Sequence, residues 1–150
     1  MSTYTVHLHR VLRATPELVY RAFLDADALC RWLPPNGYTA KVHELDARVG
    51  GRYRMSFTQF ATGHTHSFGG EYLELLPGRL IRHTDVFDDA NLSGTIELTA
   101  RFKPVSCGTD LEITQTGVPG AIPQEMCHLG WQDSLLHLAR LVEGASSEAP

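Results

Sequence analysis

Eight histidines in 150 residues are the first side chains to ask about chemistry. Two pairs, His7/His9 and His64/His66, stand two residues apart, a spacing that puts both imidazoles on one face of a strand, as a metal site requires. A zinc site needs three or four ligands, and neither pair has a third Cys or His close by in sequence. His64 also falls in an expected turn. An exposed polar strand face accounts for both pairs better, so neither a metal nor another cofactor is expected. His128 precedes Trp131 by three residues, which brings it near the sheet-facing stripe of the last helix. An imidazole titrating near neutral pH could there hold a ligand's polar end or move a proton. The competing reading is a half-buried histidine bonded to a strand carbonyl. Gln115 shares the inward face of Leu111 and Ile113, and an amide among apolar residues needs a partner in protein, water or ligand. His83 and Asp85 share a face with Ile81 and Phe87. Turned inward they form an acid–base pair, turned outward they are surface charge, and both orientations are open. There is no nucleophile elbow, phosphate-cradling glycine loop or HExxH motif.

These residues must be carried by recognisable elements. Val6 and Leu8 mark a first strand over 4–13. Thr15-Pro16-Glu17 starts a helix with a good N-cap, a proline in its first turn and an acid at the positive end of the dipole. Asp25 caps a second short helix, Ala26 to Leu33, stopped at Pro34-Pro35-Asn36-Gly37. Strands are then expected over 38–45, 52–60, 66–76, 80–87, about 96–102 and about 111–115, with turns at Gly50-Gly51, Thr62-Gly63-His64, Pro77-Gly78 and Asp88–Ser93. The alternation of Tyr53, Met55 and Phe57 against Arg54, Ser56 and Thr58 is clean. Gly69-Gly70 predicts a bulge or sharp bend. After a loop over 117–123 comes a helix of about 20 residues, 123–143, fraying into 144–147, with Cys127, Trp131, Leu135, Leu138 and Val142 on one stripe.

This order predicts one α+β domain over residues 1–150, a seven-stranded antiparallel sheet curved around a long C-terminal helix, with two short helices after strand 1. A sheet bent around one helix leaves space between them, the default place for a small ligand. Trp32, Tyr53, Met55, Phe57, Phe68, Tyr72, Phe102 and Trp131 are its expected apolar walls, Gln115 and His128 its polar fittings. Core filling competes for about half of the aromatics, because pocket and core draw on the same side chains.

Several motifs bear on kinship. Thr15 to Phe23 followed by Leu29-Cys30-Arg31-Trp32-Leu33-Pro34 resembles the PxxVWxAxxDPxxLxxWxxP opening of the heat-shock-protein-90 ATPase activator homologue family, of the START-like (SRPBCC) superfamily. Gly50-Gly51-Arg52-Tyr53, Gly70 to Leu75 with Pro77, Gly108 to Ile113, and Gly130-Trp131 with Leu135 and Leu138 resemble its later motifs. Gln115 stands where the family has His, and Arg82-His83-Thr84 where it is more apolar. The resemblance implies a helix-grip fold and admits lipid carriers, cyclases and co-chaperones alike.

Three functions follow as expectations. The first is non-catalytic binding of a small apolar or amphipathic molecule. The second is a cyclase- or hydrolase-type enzyme in the same cavity. The third, implied by the family, is a stress-response partner of a chaperone ATPase; the family's activator adds an N-terminal domain for which 150 residues leave no room. A net charge of −4, a pI near 6.0 and scattered basic residues argue against nucleic acid. Three cysteines without paired spacing, no signal sequence and no membrane-length apolar run point to the cytoplasm. A homodimer through sheet edges stays open.

Overall fold

The computed structural model describes residues 2–147; Met1 and the last three residues of the expected domain lie outside the described residues. Seven antiparallel strands form one sheet in the order β1-β7-β6-β5-β4-β3-β2, with β1 Thr3–Leu12, β2 Tyr38–Leu45, β3 Arg52–Gln59, β4 Thr65–Leu76, β5 Leu80–Phe87, β6 Ile96–Val105 and β7 Gly108–Pro119. Strands β2 to β7 are a meander, and β1 returns to pair with β7, so β1 and β2 form the two edges. Between β1 and β2 run α1 (Pro16–Leu24) and α2 (Ala26–Trp32), and α3 (Gln124–Ser147) closes the chain. This is the helix-grip arrangement expected from the order of the elements.

Both short helices begin where their caps dictate. The Thr15 hydroxyl accepts from the Leu18 amide at 3.3 Å, and the Asp25 carboxylate from the Ala28 amide at 2.9 Å. Trp32 then locks α2 onto α1. Its ring packs tilted against Phe23 with centroids 4.7 Å apart, and its Nε1–H donates to the Ala22 carbonyl at 2.9 Å. Trp32 is only 1% exposed, so losing that donor leaves a buried carbonyl unpaired. Trp32→Phe is expected to cost about 2 kcal/mol in denaturant unfolding, the upper half of what one buried hydrogen bond with an orphaned partner is worth; a loss below about 0.5 kcal/mol would contradict it.

Two boundaries differ from expectation. Strand β7 continues through Gly117, at φ 78°, to Pro119, because β1 extends far enough to pair Tyr4 with Val118 and Thr3 with Pro119. Helix α3 runs on through Gly144 to Ser147 where fraying was expected, one glycine costing too little to stop it. Its stripe faces the sheet as the spacing requires: Trp131, Leu135, Leu138 and Val142 are buried and Cys127 partly so.

The glycine pair in β4 also works differently from a bulge. A Cβ on Gly69 would stand 2.4 Å from the Tyr53 carbonyl oxygen, and one on Gly70 1.7 Å from that of Thr84. The glycines let the backbones of β3 and β5 approach β4. The register shift itself lies further on, between Tyr72 and Glu74.

Candidate functional site

The helices divide the space above the sheet into two parts. At one end α1 presses Tyr20 and Phe23 onto Phe102 of β6, with ring centroids 5.5 and 5.2 Å apart, and core side chains fill the volume. At the other end the first turns of α3 stand off the sheet and leave a cavity of about 520 Å³. Strands β3 to β7 form its floor, α2 and the segment after it one side, and α3 the roof. The segment after α2 is tied to α3. Ser134 Oγ donates to the Leu33 carbonyl at 2.6 Å, the Asn36 amide donates to Asp133 at 3.2 Å, and the His137 ring bridges the Pro34 carbonyl and the Asn36 side chain.

Of the residues singled out in the sequence, Trp32, Tyr53, Met55, Phe57, Phe68, Tyr72, Gln115 and Trp131 line this cavity. Phe102 does not; it belongs to the filled end. Nor does His128, which lies with Gln124, Glu125, Leu129 and Gln132 in a shallow depression on the outer flank of α3. At 100° per residue, Gly130 and Ser134 fall on one flank of Trp131 and His128 about 60° round on the other. The cavity opens on the first flank.

Gln115 finds its partner in the protein. Its Oε1 accepts from Trp131 Nε1–H at 2.8 Å, fastening the helix to β7, and Cys127 Sγ lies 3.6 Å away. The histidine pairs separate into different settings. His7 and His9 stay on the outer side of β1, beside Thr114 and Asp110. His64 is exposed in the turn, whereas His66 enters the aromatic wall with Phe57 at 5.7 Å and Phe68 and Phe87 at 6.3 Å. Burial holds the His66 imidazole below its ordinary pKa. Its role in the wall, together with that of Phe87, was legible only as alternation along strands whose register sequence left open; Phe23 reaches the same cavity from α1.

The orientation of β5 is now fixed. His83 pairs with Tyr72 of β4 on one side and with Leu98 of β6 on the other, and both of these line the cavity, so His83 and Asp85 point into it. His83 Nδ1 lies 3.1 Å from the Thr84 carbonyl oxygen and 3.3 Å from Asp85 Oδ1, with the rings of Tyr53 and Tyr72 at 5.1 and 5.7 Å. The Tyr53 hydroxyl donates to the same Thr84 carbonyl at 3.2 Å. Neither member of the pair has a lysine or arginine beside it on the cavity wall. Burial therefore drives both toward neutrality, raising the Asp85 carboxyl to about 8 and lowering the His83 imidazole to about 4.

These shifts set the pH dependence of folding. In the unfolded chain Asp85 ionises above its ordinary 3.8, while the folded carboxyl keeps its proton to about 8, so its contribution to stability falls as pH rises across that interval. His83 works in the opposite direction between about 4 and 6.5, where the unfolded ring takes up a proton that the folded ring refuses. The wild-type terms cancel there, and only the Asp85 loss remains from 6.5 to about 8. Asp85→Asn removes that loss. The stability of the variant relative to wild type is expected to rise steadily from about pH 4 to 8 and then level off, measured by urea unfolding. A difference independent of pH would mean that Asp85 is ionised throughout.

Residues 13–143 match the family model described as Activator of Hsp90 ATPase homolog 1-like protein. The chain belongs to this family. The crystal structure of a protein from Chromobacterium violaceum is 61% identical, covering 93% of this chain and 96% of that one, with a TM-score of 0.92. A Rhodobacter sphaeroides structure (21% identity, 94% and 93% covered, TM-score 0.82) and the solution structure of the AHSA1-like protein from Aeromonas hydrophila (22%, 98% and 97%, 0.76) share the fold. No curated protein matches the chain. Among the described residues of this activator-homolog family member, no cluster of three or more His, Cys, Asp or Glu side chains is placed to hold a metal ion, and no helix is long and apolar enough to cross a membrane.

Proposed function

We propose that this chain acts as one START-like domain of the cytoplasm that binds a small apolar or amphipathic molecule between its sheet and α3, without transforming it. The observation that carries this reading is the cavity. Its volume of about 520 Å³ lies within the range of small-molecule sites, its walls are mainly aromatic and aliphatic, and its few polar groups sit at defined points. Trp32, Tyr53, Met55, Phe57, Phe68, Tyr72 and Trp131 would supply contact area, with Gln115 bracing the roof. Such a cavity, apolar with oriented polar points, favours a ligand over water.

Native mass spectrometry tests this on protein freshly purified and on protein reconstituted with an organic extract of its expression host. A one-to-one adduct that disappears on denaturation is the expected result; no adduct in either preparation would contradict the proposal. A second reading rests on the His83–Asp85 pair, whose two proton-carrying groups face the cavity as a cyclase- or hydrolase-type enzyme requires. Turnover of aromatic or ester substrates that is abolished by His83→Phe would favour it over simple binding. The family's link to a chaperone ATPase makes regulation of such a partner the third reading, which pull-down with the full chain addresses.

A further inference from the structure

The cavity's charged and polar lining restricts what it accepts more narrowly than its apolar walls do. Resting on the ligand-binding reading above, we propose that the His83–Asp85 pair is the recognition point for the hydroxyl group of a neutral hydroxylated aromatic compound, of the phenol or naphthol class.

Three features support the assignment. The first is the balance of charge. The ionisable groups on the cavity wall include Asp85, Asp133, His66 and His83, and no lysine or arginine is among the lining residues. A carboxylate, sulfate or phosphate would enter a buried space without a countercharge, which is strongly unfavourable. The second is hydrogen-bond polarity. The His83 Nδ1–H donates to the Thr84 carbonyl, which fixes the tautomer and leaves Nε2 as an acceptor. Asp85, beside it and held in its acid form by burial, offers an O–H donor. One donor and one acceptor on neighbouring side chains of the wall match a hydroxyl, which needs both. An ammonium group would instead require Asp85 to ionise, which its burial resists. The third is shape. The rings of Tyr53 and Tyr72 flank His83, and Phe57, Phe68 and Phe87 continue the wall, so the group carrying the hydroxyl meets aromatic edges and faces on several sides.

Four probes of one size distinguish the choices: naphthalene, 2-naphthol, 2-naphthoate and 1-naphthylmethylammonium. Their affinities are measured by calorimetry at pH 7 on wild type, Asp85→Leu and His83→Phe, after thermal unfolding has verified that each variant is folded. We expect 2-naphthol to bind wild type at least tenfold more tightly than naphthalene, and both charged probes to bind more weakly than naphthalene. In each variant the advantage of 2-naphthol over naphthalene, both measured on that variant, should fall to threefold or less. Equal binding of naphthalene and 2-naphthol to wild type would overturn the proposal and leave the ligand-binding reading standing. So would preference for either charged probe, or an advantage that survives in both variants. Failure of all four probes to bind would remove the ligand-binding reading and this proposal with it. Should a variant not fold, the wild-type ranking still decides.

Discussion

Gly70→Ala should destabilise the protein by about 3 kcal/mol or more, beyond the ordinary range for one added methyl group. The reason is what the methyl would meet. An ideal Cβ at this position stands 1.7 Å from the Thr84 carbonyl oxygen and 2.5 Å from its carbon, both backbone atoms of β5. No rotamer change can relieve that contact, so β5 must move away from β4. The Thr84 carbonyl also receives the Tyr53 hydroxyl and the His83 ring, so the movement breaks bonds at about 1 kcal/mol each and tilts His83 and Asp85 in the cavity wall. Thermal unfolding should show a drop of about 10 °C for a chain of this size. Gly130→Ala is the matched control. Nothing lies within 4 Å of its Cβ, and it sits inside α3, so the same change should stabilise by about 0.5–1 kcal/mol. Equal effects at the two positions would show that β4 and β5 are less closely apposed than described.

Gly130→Trp should eliminate ligand binding while keeping the fold. Gly130 lines the cavity from α3, and its Cβ position is open, so an indole attached there extends into the space a ligand would fill. The substitution removes a helix-interior glycine and buries aromatic surface, so unfolding should occur at or above the wild-type temperature. Affinity for an apolar probe should nevertheless fall at least tenfold, about 1.4 kcal/mol. A destabilising surface mutation would not give that combination of a raised melting temperature and lost binding.

The fold was readable in the sequence because its signals are local and repeated. Thr15 and Asp25 announce helix starts by their own chemistry, β3 alternates without interruption, and the α3 stripe keeps helical period over four turns. The site was less readable, because it depends on which end of the sheet the helices fill. Phe102 and Phe68 both sit on inward strand positions and are both buried, yet only α1, pressing Tyr20 and Phe23 onto Phe102, separates core from cavity wall. His128 illustrates the limit of spacing arguments: three residues from Trp131 leaves it on the helix flank away from the cavity. His83 and Asp85 needed the register of β4 against β5, which Gly69-Gly70 and the shift after Tyr72 make unreadable from alternation alone. The departures from the family pattern at Gln115 and at Arg82-His83-Thr84 nonetheless fall on or beside the polar points of the wall.

The space beneath α3 is expected to take up a small apolar molecule. Fluorescence titration with N-phenyl-1-naphthylamine, uncharged and of fitting size, tests it most directly across wild type, Gly130→Ala and Gly130→Trp. A saturable rise at one probe per chain is expected for wild type and Gly130→Ala, and a response at least tenfold weaker for Gly130→Trp. No saturable rise in wild type, or one left unchanged by the tryptophan, would contradict it.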